Sequence, residues 1–477
     1  MAKQPHVILI MTDQQRADTL AAYGDRQCDT PHLDRLADQS IVFDRHYSPC
    51  PLCVPTRTAM ATGLYPHRSG AMINTWIPEE RQYGTLRPEY TTIFERLLAE
   101  GYNLGHIGVQ HIFSEPSFQE RCDGATFIGK QDYSEYLQAN GLTEPKLTEY
   151  RAPCPEFING RMICDWYTSA RTGRHPLPAE HFFDSYLSTR AVEFIESADT
   201  SQPLALACLL WAPHPPLAVP APYDTLYDPA KLELPVNVGQ RYSGQPASQL
   251  MNLPGFMGAT VTMEQWRQVW AAYLGLVTMA DRCIGQVVEA LWRRGLWDDA
   301  LVIFTVDHGE MLGSHRMWQK MCMYEEAIRV PLLIKPPGAG SNGRGVRRSQ
   351  LTSHVDVPAT ICDYLGIDWQ AGDGMSLRPV IETPASPTRE MVYSEFNGNA
   401  GRGSFQRAAI TASHKYIHNE GDHAELYNLE HDPLERENLI GKAEVASTQQ
   451  QLHKALHEWM SRSGDFLDIG QSESKPC

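Results

Sequence analysis

Three apolar runs constrain this chain more than any other feature of its sequence. Residues 6–12 (HVILIMT), 203–211 (PLALACLLW) and 301–306 (LVIFTV) are nearly unbroken in their apolar character. A strand reads this way when both of its faces are covered, as in a parallel sheet held between helices. Helical patterns fall between the runs. Residues 91–101 (TTIFERLLAEG) close on a glycine, residues 182–197 keep helical spacing, and a long amphipathic pattern spans about 263–294. Residues 103–108 and 330–334 add two further strand-like pieces. The alternation predicts an α/β fold, a large mostly parallel sheet flanked by helices.

Two stretches leave that rhythm. Residues 130–178 are polar and rich in Pro, Tyr and Gly, and read as an insertion near the mouth of a site. Beyond about Gly374 come short strand-like pieces (MVYSEF, RAAITAS, KYIHN, AELYNL) and a helical pattern at 448–460. The expected organisation is an α/β domain over 1–374 and a C-terminal α+β subdomain over 375–477, a small antiparallel sheet with one helix.

Composition narrows the partners. Lys and Arg number 41 against 57 Asp and Glu, a net charge of −16. That balance argues against a nucleic-acid or anionic-membrane surface. No run approaches the ~20 apolar residues of a bilayer span. The N-terminal apolar run reads as a first strand and not as a signal peptide. Eleven cysteines without framework spacing point to reduced thiols, and the expected location is the cytoplasm.

Ligands of open α/β sheets gather beyond the carboxyl ends of the strands, where Asp13 and Asp307 stand. The sharpest local feature is Cys53-Val54-Pro55-Thr56-Arg57, followed by Thr62-Gly63. An Arg one helical turn after a Cys can hold an anionic group at that position. A helix starting near Thr56 would add its N-terminus to the same anion. Cys50 lacks partners at zinc-site spacing.

At this point CVPTRTAMATG resembles the modification motif of the sulfatases of the alkaline phosphatase superfamily, Cys-x-Pro-x-Arg with Thr-Gly further on. MTDQQRADTLAAYG and TPHLDRLADQSIVFDRHY are similar to that family's first strand, metal residue and following helix. GLYPHRSG, WAPHPPLAVP and LVIFTVDHGEMLGSHRMWQKMCMYEEAIRVPLLI continue the likeness in the same order. HVDVPATICDYLGI and HKYIHNEGDHAELYNLEHDPLERENL resemble its closing helix and C-terminal subdomain. The insertion at 130–178 lies outside the resemblance.

The resemblance implies a hydrolase that converts a small-molecule or carbohydrate sulfate ester to an alcohol and inorganic sulfate. It implies oxidation of Cys53 to Cα-formylglycine by a dedicated modifying enzyme. One divalent metal ion, calcium with manganese as the other candidate, would sit on Asp13, Gln14, Asp307 and His308. Arg57 would orient the nucleophile, and His214 and Lys320 would contact the sulfate and protonate the leaving oxygen. His111 would assist release of the sulfate. His315 reads as a loop histidine and Asn74 as a minor candidate for substrate contact. An oligomer is compatible with all of this.

Two departures bear on substrate and metal. Gln14 stands where many sulfatases have a second Asp, and His308 where many have Asn. A nitrogen ligand and one carboxylate fewer bring Mn²⁺ beside Ca²⁺. Similar Asp-His pairs occur in choline sulfatases and phosphonate monoester hydrolases. In Gly108-Val109-Gln110-His111, Val109 replaces the lysine the family commonly carries, which removes a cation from the anion site. A phosphonate monoester or phosphodiester hydrolase on the same scaffold is the alternative.

Overall fold

Residue 13 lies in the middle of an eight-stranded sheet, and the strand order explains why. The computed structural model describes residues 4–24, 27–75, 78–158, 161–199, 201–338, 345–369, 372–399 and 404–470. The sheet strands in chain order are β1 (His6–Asp13), β2 (Ile41–Tyr47), β3 (Asn103–Gly108), β4 (Thr126–Ile128), β5 (Leu204–Pro213), β6 (Ala300–Val306), β7 (Leu332–Lys335) and β8 (Val346–Ser353). In space the order is β8-β2-β7-β6-β1-β5-β3-β4. The three apolar runs are therefore adjacent, with β1 parallel to both β5 and β6. Only β7 runs against the rest. The chain returns to it from β6 without a long crossover helix, and an antiparallel neighbour needs none.

Both faces of β1 are buried, as its unbroken apolar character requires. Ile8 and Ile10 face α2 (Phe183–Ser197) and α3 (Met263–Arg293), whose Leu187, Ile195, Val277 and Ile284 share one core. Val7, Leu9 and Met11 face the other way, against Met60 of α1 (Cys53–Thr62) and Ile361 of α4 (Asp356–Leu365). The predicted helix at 263–294 starts in a capping box, Thr262 with Gln265, and ends at Arg293.

The C-terminal unit is a four-stranded antiparallel sheet, β9 (Val392–Phe396), β10 (Gln406–Ile410), β11 (His414–Asn419) and β12 (Glu425–Asn428), with α5 (Ala446–Ser463) against it. Lys415 binds it to the large sheet's loops. Its Nζ lies 2.7 Å from Glu325 Oε1 and 2.9 Å from Glu435 Oε1.

The stretch 130–178 has more regular structure than its composition suggests. It holds a helix (Lys130–Ala139) and a hairpin (Arg151–Ile158 with Arg161–Thr168). Residues 163–166 of the hairpin's second strand are all exposed, so no buried face imposes there the period of two that would have marked a strand. Its base touches the site loop through Trp318 Nε1, which donates to Thr168 O at 2.8 Å. Among the described residues no helix is long and apolar enough to cross a membrane.

β1 and β5 stay in register from Val7↔Ala205 to Met11↔Leu209, then slip, so that Asp13 meets Pro213. The slip opens the sheet at the carboxyl ends. Asp184 of α2 pins the open end of β5, accepting from the N–H groups of Trp211 (2.7 Å) and Ala212 (2.9 Å). Burial raises this carboxyl from 3.8 to about 6 despite those two donors. A carboxyl raised on folding binds its proton more tightly in the native state, so its contribution is greatest below pH 4. That contribution falls as the pH climbs through 4 to 6, by up to about 3 kcal/mol at ~1.4 kcal/mol per unit. Asp184→Asn removes the titration. Thermal melts should show the variant gaining on the parent as pH rises from 4 to 7, and a constant difference would refute the assignment.

Candidate active site

Most of the site's groups leave a strand end or the first turn of α1, and Lys320 comes from the loop after β6. Asp13 closes β1, and Gln14 follows with a left-handed φ of 63°. A non-glycine residue held there costs of order 1–3 kcal/mol, a price met where geometry matters. Here it turns the Gln14 N–H onto Asp307 Oδ1 at 3.0 Å. Asp307 follows β6, and the N–H of His308 donates to the same oxygen at 2.8 Å. Gly309 is required next, because a Cβ there would lie 1.9 Å from the carbonyl oxygen of Glu326. His308 Nδ1 faces the carbonyl of Gly309 at 3.1 Å, which leaves Nε2 as the lone-pair atom toward the site.

Cys53 is the first residue of α1 and is buried. The first N–H groups of a helix have no internal partner. The Val54 N–H finds one in Asn74 Oδ1 at 3.0 Å, so Asn74 supports the helix start. One turn on, Arg57 lies between the carboxylates. Its Nε donates to Asp307 Oδ2 at 3.0 Å, its Nη2 to Asp13 Oδ2 at 2.9 Å, and its Nη1 to the Val109 carbonyl at 2.9 Å.

Cys53 Sγ is 3.1 Å from His308 Nε2, 3.5 Å from Lys320 Nζ and 3.9 Å from Asp13 Oδ1. Lys320 is flanked by two more left-handed residues, Gln319 (φ 74°) and Met321 (φ 75°). Its Nζ donates to Gln14 Oε1 and lies 3.1 Å from His214 Nε2. His214 Nδ1 donates to the Pro215 carbonyl, so its Nε2 is the acceptor for the lysine. The Trp211 ring packs 4.1 Å from the His214 ring. His111 lies just past β3, and with His214 it lines the inner end of a cavity of about 600 Å³. Residues of the 130–178 stretch, among them Lys130 and Leu147, form part of its wall.

Burial governs the charges. It pushes the Cys53 thiol up, with Asp13 adding to the effect. Burial and the neighbouring Asp307 raise Asp13. Burial acts upward on Asp307 too, but His308, Arg57 and the Gln14 N–H outweigh it and hold it low. Burial lowers His308 and His111 to about 3 each and carries His214 well below its usual value. The site therefore presents an ionised Asp307 beside an Asp13 carboxyl whose ionisation its surroundings disfavour, with a guanidinium and neutral imidazoles around them.

A divalent cation fits this donor set. Ligand atoms of Asp13, Cys53, Asp307 and His308 all lie within 4.8 Å of one another. One buried carboxyl whose ionisation is disfavoured by its neighbour is what a bound cation relieves.

The structure brings Asp13, Gln14, Cys53, Arg57, Asp307, His308, His214 and Lys320 together, with His111 at the adjoining cavity. His315 lies elsewhere, stacked on Tyr324 at 4.0 Å with Nε2 on the Leu434 carbonyl at 3.0 Å. Sequence reasoning missed Glu310. Its buried carboxylate accepts from Gln14 Nε2 and from the N–H groups of Leu312 and Gln319. It thereby fixes which way the Gln14 amide points, with Oε1 toward Lys320. Its place three residues after Asp307 was the available signal. His354 was also missed. It reaches the Asp307 carbonyl at 3.1 Å and is backed by His46 at 2.8 Å.

Comparison with known proteins follows this geometry. A family model described as "Sulfatase" matches residues 5–367, and one described as "N-sulphoglucosamine sulphohydrolase, C-terminal" matches 313–462. The chain is 28% identical over 509 residues to the multifunctional alkaline phosphatase superfamily protein PehA of Trinickia caryophylli, across 96% of each chain. It is 26% identical to the N-acetylglucosamine-6-O-sulfatase of Bacteroides thetaiotaomicron, across 97% of this chain and 87% of that protein. The fold superimposes on the phosphonate monoester hydrolase of Agrobacterium radiobacter with a TM-score of 0.79 at 22% identity, covering 96% of both chains.

Proposed function

The chain belongs to the sulfatase family, and on that premise we propose that it hydrolyses a sulfate ester to an alcohol and inorganic sulfate, with position 53 oxidised from cysteine to formylglycine. One observation carries this reading: Cys53 and Arg57 share a helical turn that enters the gap between Asp13, Asp307 and His308, with Lys320 3.5 Å from the sulfur. The Cys53 sulfur marks the place of the reacting oxygen. As its hydrate, the oxidised residue supplies one hydroxyl to attack sulfur and a second whose deprotonation releases sulfate. Asp13, Gln14, Asp307 and His308 would hold a divalent cation, calcium or manganese, which would lower the cost of ionising that hydroxyl and of charge on the ester oxygens.

This chain's own residues do the rest. Arg57 cannot swing away, because both carboxylates and a carbonyl hold its three nitrogens, so it presents a fixed positive charge to position 53. Lys320, 3.1 Å from the cavity-lining His214, is the donor for the leaving oxygen. His214, an acceptor at Nε2, orients it toward the leaving oxygen. His111 faces the same cavity and is neutral near pH 7, so it can accept the proton of the second hydroxyl.

The direct test is the mass of the tryptic peptide 46–57 after alkylation, from cells that possess the modifying enzyme. Cys50 in that peptide reports complete labelling. Position 53 is expected partly as an aldehyde, and a fully alkylated thiol there would sink the proposal. Glu310→Gln should weaken Mn²⁺ or Ca²⁺ binding about 10–100-fold in calorimetric titration, since the Gln14 amide can then flip. Unchanged affinity would remove Gln14 from the ligand set.

A phosphonate monoester or phosphodiester hydrolase is the second reading. It is favoured by Val109, which leaves its backbone carbonyl on Arg57 and brings no side-chain cation to the anion site. Parallel assays with an aryl sulfate and an aryl phosphonate monoester separate the two.

A further inference from the structure

The wall of the cavity in front of His111 and His214 carries five aromatic side chains, among them Phe182, which directly precedes α2. Phe127 comes from β4, Tyr133 from the helix Lys130–Ala139, Phe183 from the start of α2 and Trp211 from the end of β5. Its charged lining is one cation against two carboxylates. Lys130 is paired with Glu144, and Asp132 accepts from the Gly129 N–H at 2.7 Å. One negative charge is left unmatched. His106 and His175 also line the wall, and burial keeps both below their ordinary values, His106 at about 3. No arginine lines the cavity among the described residues.

We propose that this cavity receives the leaving alcohol of the ester and selects one that is uncharged and aromatic. The inference rests on the hydrolase reading above and deepens it. An anionic alcohol, such as a further-sulfated or carboxylated sugar, would be desolvated against the unmatched negative charge. A cationic alcohol would compete for ring faces already taken, because the Lys130 ammonium lies 5.7 Å from the Tyr133 ring centre and 5.4 Å from that of Phe183. A neutral sugar needs polar partners for its hydroxyls. Three of the polar side chains in the wall are already engaged, the Gln110 amide with the Ile112 carbonyl, the Gln131 amide with Glu135 at 3.1 Å and the Tyr133 hydroxyl with the His181 carbonyl at 2.8 Å. A flat apolar ring is matched by a wall that carries five aromatic side chains.

The test compares kcat/KM for esters of three alcohols: a naphthol, a carboxylated naphthol of matched acidity, and a monosaccharide. Each is made as the sulfate and as the phenylphosphonate, and the free alcohols are ranked as inhibitors. Matching acidity removes intrinsic reactivity, and inhibition covers the sugar. The neutral naphthyl ester should exceed the carboxylated one by about 30-fold, and naphthol should inhibit more tightly than the sugar. Glu144→Lys, at an exposed position, should narrow the first gap by about tenfold. Phe183→Ala should reduce the ratio of kcat/KM for the naphthyl ester to that for the monosaccharide ester by about tenfold relative to the parent. Equal use of the carboxylated ester, or tighter inhibition by the sugar, overturns this inference. Turnover of phosphonates alone, with the naphthyl preference intact, overturns the sulfatase reading and leaves this one standing.

Discussion

Cys53→Ala should lower kcat by about 10⁴-fold or more, the scale seen when a nucleophile is removed from an otherwise intact site. Its melting temperature should stay close to the parent's. The sulfur is a small group in a polar setting, and the carboxylates keep Arg57 as their partner. Cys53→Ser sharpens the result. A serine hydroxyl has one oxygen beside His308 and Lys320, so it can displace the alcohol, but it has no second hydroxyl through which to expel the sulfate. A rapid-quench experiment should release alcohol once per active site and then stop. Continued turnover by the serine variant would show that position 53 acts otherwise than proposed.

Arg57→Ala should damage stability and activity together. The side chain is buried, and removing it leaves Asp13 and Asp307 facing one another without their shared cation. Breaking a buried ion pair from one side costs about 3–5 kcal/mol. The urea midpoint should fall with the slope unchanged. Activity should fall by a further factor of about 10²–10³, since a fixed positive charge at the reacting centre is lost. Arg57→Lys restores a charge but only one contact point, and should recover part of the stability and little of the rate. Added divalent cation should raise the midpoint of Arg57→Ala more than that of the parent. An equal response in both would mean the cation binds away from these carboxylates.

Much of this architecture was legible beforehand, for a definite reason. Unbroken apolar runs have one comfortable setting, and three of them sit side by side as β5, β1 and β6. Asp13 and Asp307 end two of those runs, so chain pattern alone put both at the sheet's open end. Lys320 and His214 came from resemblance, because a loop lysine and a histidine among prolines carry no pattern of their own. Glu310 escaped, and Asn74 was read as a minor substrate contact and not as the partner of a helix start, because both roles depend on approach in space. Asn74 caps a helix that starts 21 residues before it, and Glu310 holds an amide from the other end of the domain. The hairpin at Arg151–Ile158 and Arg161–Thr168 was hidden because residues 163–166 of its second strand are exposed on both faces.

The position of β1 has a consequence for how the chain folds. In the finished sheet β1 is flanked by two strands that lie far after it in the chain, Leu204–Pro213 and Ala300–Val306. A ribosome must add some 200 residues before either edge of β1 can pair, and almost 300 before both can. Until then an apolar strand with two open edges waits on contacts of high sequence separation, the circumstance that makes folding slow and aggregation-exposed. Refolding yield should therefore fall steeply with protein concentration, and no N-terminal fragment ending before Val306 should acquire the pocket around Cys53.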